Sequence, residues 1–224
     1  SQSGAREAPV LFGKEGMTVL DEVKEIIELP DFDRKDANKN RLDSETIELD
    51  PQVCSELREY VAAIAQSYRR NPFHSFDHAS HVLMSVSKLL NRIVAPDVAL
   101  PENVPGKAYD ISVREMFHDH TYGITSDPLT QFACVFAALI HDVDHRGVPN
   151  AQLVKEEIDL AEKYGEKSTA EQHSVVIAWD LLMSDNFKSL RSAICSTEQE
   201  LRRFRELVVN SVMATDIVDP DLKR

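Results

Sequence analysis

The 224-residue sequence is poor in glycine (7), cysteine (3) and tryptophan (1), and its 25 Lys and Arg are outnumbered by 38 Asp and Glu. So little glycine beside 42% hydrophobic residues excludes a flexible linker or low-complexity chain and leaves enough apolar side chain for a core. Cys54, Cys134 and Cys195 lie far apart in no metal-like spacing, which excludes a disulfide scaffold or a zinc ribbon and fits a reducing compartment. No run of about 18 uncharged apolar residues occurs, so the chain holds no membrane segment. Its opening residues lack the order of a signal peptide, and a cytoplasmic or cytosol-facing location is expected. The net charge of −13 argues against nucleic acid as a partner, because phosphate contacts need clustered Lys and Arg. The length suits one domain or a large part of one. A start at Ser1 and a stop just after a helical stretch make a fragment the expectation.

What the sequence does have is helical periodicity. Residues 1–16, with Gly4, Gly13, Gly16 and Pro9, read as a loose lead-in, followed by a short amphipathic helix over Val19 to Leu29. Asp50-Pro51 and Asp127-Pro128 each supply an N-cap and a first-turn proline before an apolar run at helical spacing. Asp77 is placed to cap a helix with the inward stripe Val82, Leu83, Val86, Leu89, Leu90 and Ile93. Ser168-Thr-Ala-Glu171 and Thr197-Glu-Gln-Glu200 are capping-box patterns. Prolines 96, 101 and 105 break the pattern, so 94–127 reads as a long loop insertion with room for one helical turn. No alternating strand run appears. The fold class expected is all-α, with 1–49 as lead-in and 50–224 as one helical domain.

The chemistry gathers in two places. His141-Asp142-Val143-Asp144-His145 follows thirteen residues of apolar helix, so His141 and Asp142 stand at that helix's end beside the core. An imidazole and a carboxylate there can reach one cation, and the second carboxylate oxygen can bridge another; a lone His-Asp pair is equally compatible with a solvated turn. Upstream, His74 and His78 flank a helix start, with His78 on the inward stripe and His81 on the outer face. Two such clusters favour a shared metal centre. Glu171 has two readings, the cap of its helix or a group near that centre. His118, Asp119 and His120 fall in the insertion and read as loop rather than site.

Residues 141–150, His-Asp-Val-Asp-His-Arg-Gly-Val-Pro-Asn, resemble the signature of class I cyclic-nucleotide phosphodiesterases, within the HD-type metal-dependent phosphohydrolases. Asn71 to Val82 is similar to that family's upstream histidine motif. Leu160-Ala161 with Tyr164, then Ser168, Glu171 and His173, resembles a third block, and Ala214-Thr215-Asp216 a fourth. The resemblance implies a compact multi-helix catalytic domain that hydrolyses 3′,5′-cyclic AMP or cyclic GMP to the 5′-monophosphate. It implies two divalent ions, zinc and magnesium or manganese. His78, His141 and Asp142 would be ligands, and Asp142 would bridge. His74 would protonate the leaving 3′-oxygen, and His145, Asn150 and Glu171 would orient water around the ions. Regulatory or cyclase domains fused elsewhere would fit the same family.

Some features depart from it. The family's fourth metal ligand and its base-reading glutamine and aromatic fall beyond Arg224, so the domain is expected to be incomplete at its C-terminus. Phe73, Ser75 and His81 stand where tyrosine, asparagine and aspartate are usual, and 94–127 lengthens the spacing between His78 and His141. Two other readings stay open: a different HD-type phosphohydrolase, or a non-catalytic module on the same scaffold.

Overall fold

The computed structural model describes residues 19–23, 27, 29–31, 48–94 and 115–218. Helix α1 (Pro51–Ser67) starts where the Asp50 carboxylate accepts the Gln52 N–H at 2.7 Å. Helix α2 (Phe76–Val94) is capped by Ser75, whose hydroxyl accepts the His78 N–H at 3.3 Å. The expected cap, Asp77, sits instead in the first turn, where its charge still complements the helix N-terminus. Helix α3 (Pro128–Ile140) starts at Asp127, which accepts from the N–H groups of Leu129 and Thr130. Short helices α4 (Asn150–Glu156) and α5 (Ile158–Lys163) lead to α6 (Thr169–Met183), then to a 3-10 turn (Asp185–Phe187) and α7 (Lys188–Ile194). Helix α8 (Glu198–Met213) opens with a complete capping box between Thr197 and Glu200. Among the described residues there is no strand, and the all-α expectation holds.

The core forms where α3 is held between α2 and α8, with α6 packed across. Phe204 of α8 stacks on Phe132 (5.8 Å) and meets Phe136 edge-on (5.3 Å), and Trp179 of α6 closes the cluster at 5.8 Å from Phe204. Tyr60 brings α1 in, stacked on Phe136 and donating its hydroxyl to the Ala178 carbonyl at 2.8 Å. Glu56 ties α1 to α7 by accepting the Leu190 N–H at 2.7 Å. Truncating a fully buried aromatic such as Trp179 would remove about 3–5 kcal/mol.

Four further local expectations are corrected. The helix over Val19–Leu29 is instead a 3-10 turn at Val19–Glu22, with residues 23, 27, 29 and 30 non-helical. That turn is held by distant partners: Val19 N–H donates to Gln172 Oε1 (3.0 Å), and Glu22 takes Arg205 on its carboxylate and Asn210 on its carbonyl. His118, Asp119 and His120, read as loop, lie on the helical turn of the insertion at 115–120, and His118 is buried against Ser126 and the Pro30 carbonyl. Leu89 and Ile93, expected inward, are exposed, and among the described residues α2 packs chiefly on α3. Finally, Ser168 and Glu171 form no capping box. Ser168 adopts a left-handed backbone (φ +39°) and gives its hydroxyl to Asp216, while Glu171 takes Asn150. Residues 1–16, 95–114 and 219–224 lie outside the described residues.

Candidate metal centre

The long apolar run of α3 delivers His141 and Asp142 to its C-terminal end, and the start of α2 brings His74 and His78 to meet them. Tyr68 braces this junction by donating to the Leu139 carbonyl at 2.7 Å. Asn71 joins the two histidine segments. Its amide donates to the carbonyls of His74 (2.8 Å) and His145 (3.2 Å), and its Oδ1 accepts the Phe73 N–H. Gly147 faces Asn71 at φ +81°, and a Cβ there would meet Asn71 Cβ at an ordinary 3.6 Å. Backbone conformation, not space, calls for glycine here.

One carboxylate oxygen organises the site. Asp142 Oδ2 lies 3.0 Å from His74 Nδ1, 3.2 Å from His141 Nε2 and 3.8 Å from His78 Nε2. Two trios have their donor atoms within 4.8 Å of one another: His78, His141, Asp142 and His74, Asp142, His145. Hydrogen bonding distinguishes them. His141 Nδ1 donates to the Ala138 carbonyl at 3.0 Å, which turns the Nε2 lone pair toward Asp142. Lone pair and carboxylate oxygen 3.2 Å apart match two ligand atoms on a shared ion, since bonds of about 2.1 Å at tetrahedral angles put donors about 3.4 Å apart. His145 differs. Its Nδ1 accepts the Gly147 N–H at 2.9 Å, so the neutral ring carries its proton on Nε2 and acts there as a donor rather than a ligand. The His145 ring stacks on His74 with centroids 3.6 Å apart. The two-nitrogen, one-oxygen set of His78, His141 and Asp142 therefore fits a divalent ion such as zinc. No fourth His, Cys, Asp or Glu joins it among the described residues.

The electrostatics agree. Burial works to raise the Asp142 carboxyl, but the hydrogen bonds and charges of His141 and His74 prevail and bring it down to about 2. Burial likewise opposes charge on His141, and is outweighed by Asp142, the Ala138 carbonyl and Glu171, so this imidazole is raised. His78 is lowered, chiefly by burial, as is His145, where His74 adds to the effect. A metal ion and a proton thus compete for His141 Nε2.

Glu171, at the start of α6, is raised by burial, offset in part by Asn150 and reinforced by the charges of Asp216 and Asp142. Asn150 is fully engaged: Nδ2 donates to Glu171 (2.8 Å) and Asp216 (3.0 Å), and Oδ1 accepts the Ala170 N–H (2.9 Å). All three of its polar contacts thus go to the start of α6 and to Asp216. Sequence reasoning gave no role to Asn71, Asp144, His173 or Asp216, and gave Ser168 only that of a helix cap. Each lies inside a recognisable block, but its partner lies in another. His118, Asp119 and His120 belong to neither trio.

The comparisons with known proteins point the same way. Residues 73–219 match the family model for 3′5′-cyclic nucleotide phosphodiesterase. The chain is 32% identical over 163 residues to the probable 3′,5′-cyclic-AMP phosphodiesterase pde-4 of Caenorhabditis elegans, covering 73% of this chain and 20% of that protein. It is 31% identical over 180 residues to human cGMP-inhibited 3′,5′-cyclic phosphodiesterase 3A, covering 72% of this chain and 16% of that one. The chain thus spans a fifth or less of the length of these relatives. Its fold is like that of the phosphodiesterase domain of the RhoPDE fusion protein from the choanoflagellate Salpingoeca rosetta, with a TM-score of 0.53 at 22% identity, over 81% of this chain and 56% of that one. A match that takes in well over half the sequence, and all four blocks that carry the clustered histidines and carboxylates, shows that the chain belongs to the 3′5′-cyclic nucleotide phosphodiesterase family.

Proposed function

We propose that this chain is the catalytic part of a metal-dependent hydrolase that opens 3′,5′-cyclic nucleotides, cyclic AMP or cyclic GMP, to 5′-nucleoside monophosphates. The observation that carries this reading is the single carboxylate oxygen of Asp142 ringed by three imidazole nitrogens from two segments. His78, His141 and Asp142 would hold one ion, zinc by the chemistry of the set, and Asp142 would reach a second, magnesium or manganese. Bound cations of this kind lower the pKa of a water to near neutral and offset charge on phosphoryl oxygens.

The chain's own residues do the rest. His74, donating to Asp142 through Nδ1, keeps Nε2 for the leaving 3′-oxygen and acts as its proton donor. His145, with its proton on Nε2, donates to oxygen in the site, and its stacking on His74 fixes both rings. Asn150 and Asp216 hold the Glu171 carboxylate where it can accept from ordered water. Residues 50–224 supply this machinery, with the Val19–Glu22 turn docked on α6 and α8. A cytosol-facing setting fits the three free cysteines, and no described helix is long and apolar enough to cross a membrane.

The test is hydrolysis of cyclic AMP and cyclic GMP by the full-length protein with zinc and magnesium, and again after chelation. Chelator-sensitive formation of the 5′-monophosphate is expected. Folded, ion-loaded protein that turns over neither nucleotide would overturn the reading in favour of another phosphate ester.

A further inference from the structure

We infer that Asp144 and His173 are positioning residues that set the register between the metal loop and the helix carrying Glu171. The inference rests on the proposed function for its activity readout. Asp144 is a non-glycine residue at φ +57°, a backbone region that costs about 1–2 kcal/mol and is tolerated by Asp when its side chain is well bonded. That turn sends its N–H to the Ser67 carbonyl (3.1 Å), tying the loop to the end of α1. Its carboxylate accepts Arg69 Nε on Oδ1 (2.6 Å), and Arg146 (2.7 Å) and His173 Nε2 (2.9 Å) on Oδ2. Three segments therefore meet at Asp144: the end of α1, its own loop and α6.

The grip from α6 is double. His173 holds the Asp144 carboxylate, while its neighbour Ser174 donates to the Val143 carbonyl at 2.7 Å. Two consecutive residues of α6 thus seize two consecutive residues of the loop, directly after Asp142. Glu171 lies two residues before His173 on the same helix, so the spacing between Glu171 and Asp142 is set through these bonds. Tyr164 completes the chain, its hydroxyl 3.1 Å from His173 Nδ1, which fixes the ring's orientation. Neither Asp144 nor His173 belongs to the ligand trios, and both act through residues that do.

The experiment compares Asp144→Asn, His173→Ala and His173→Gln in the full-length protein. Zinc affinity is read by chelator competition, site geometry by the cobalt-substituted absorption spectrum, and turnover as separate kcat and KM. Asp144→Asn and His173→Ala are expected to weaken ion binding and lower kcat by roughly 10–100-fold, with KM little changed and the cobalt spectrum altered. His173→Gln can still donate to Asp144 and is expected to recover most of both. Wild-type zinc affinity and spectrum in folded Asp144→Asn and His173→Ala, or equal losses in His173→Ala and His173→Gln, would overturn the inference. If Asp144→Asn does not fold, Arg69→Ala removes a half-exposed partner of the same carboxylate, and unchanged zinc affinity there counts against it. Should the wild type bind ions but hydrolyse neither cyclic nucleotide, the functional reading fails while the zinc and cobalt readouts still decide this one.

Discussion

Replacing His74 by alanine separates proton donation from metal binding. The ring is one-third exposed, so it can reach substrate, and its Nδ1 is spent on Asp142 at 3.0 Å. Only Nε2 is left for a leaving group. General acid catalysis of this kind contributes about 10²–10⁴-fold, which corresponds to about 3–5.5 kcal/mol of barrier. The full loss should appear only where the leaving oxygen needs a proton. A nucleoside 3′-oxygen departs as a basic alkoxide, whereas 4-nitrophenolate leaves well unprotonated. His74→Ala should therefore slow cyclic AMP or cyclic GMP hydrolysis by at least about 100-fold, yet slow a nucleoside 5′-(4-nitrophenyl) phosphate by about tenfold or less. Bound ions should be unchanged, because His78, His141 and Asp142 keep their donors. Equal losses on the two substrates would refute the proton-donor role. Loss of ions would show instead that His74 is a ligand, as its trio with Asp142 and His145 would then require.

Asp142→Asn removes the charge shared by three imidazoles, and metal analysis of the purified variant should find both ions lost; retention of two per chain would contradict the bridging role. Asp127 caps α3, bonds Thr130 and pairs with Arg203 through both oxygens. Asp127→Asn should cost about 3 kcal/mol in denaturant unfolding, the low end for a broken buried pair because Arg203 is partly exposed. The Asp127 carboxyl is lowered despite burial, by Arg203 and Thr130, so its contribution is full above about pH 4 and is lost as pH falls through the lower folded value. A wild-type stability flat across that acid range would count against it. Gly147→Ala forces a side chain onto φ +81°, at about 1–2 kcal/mol, and should loosen the Gly147 N–H bond to His145. The expected sign is slower turnover with ion content intact, measured by metal analysis beside kcat.

Local signals survived into the structure and distant ones did not. Asp50-Pro51, Asp127-Pro128 and Thr197-Glu200 cap their helices because donor and acceptor lie within three residues, and at Asp127 the distant Arg203 joins the cap without displacing it. Ser168-Glu171 has the same pattern and fails, because Asp216, 48 residues on, takes the serine hydroxyl and Asn150 takes the glutamate. The Val19–Leu29 periodicity mistook a turn for a helix, since Gln172, Arg205 and Asn210 satisfy its polar groups from outside. His118 looked like loop chemistry because proline breaks surround it; its burial depends on Pro30 and Ser126. The site histidines were legible as a cluster, since His74, His78 and His141 all border apolar helices. Which trio suits an ion was legible only through the family resemblance, because on the residues alone it turns on two single hydrogen bonds, from His141 Nδ1 to the Ala138 carbonyl and from the Gly147 N–H to His145 Nδ1.

The placement of the centre has an electrostatic logic. A chain of net charge −13 offers an anionic phosphodiester no long-range attraction, so positive potential must be local. Imidazoles cannot supply it while serving as ligands, because ligation needs their neutral form, and Asp142 adds a negative charge. Divalent ions on two neutral imidazoles and one carboxylate leave a surplus of positive charge, which a set of several carboxylates would cancel. The end of α3 suits such ions: its last carbonyls point that way, and a cation at a helix C-terminus gains about 0.3–1 kcal/mol. The start of α6 has the opposite polarity and carries Glu171 and the Asp216 contact. Glu171 and the Asp216 contact thus stand at a helix N-terminus, and the proposed cations would stand at a helix C-terminus. This is why α3 and α6 must be held in register, and why the grip of His173 and Ser174 on the metal loop falls where the two helix ends meet.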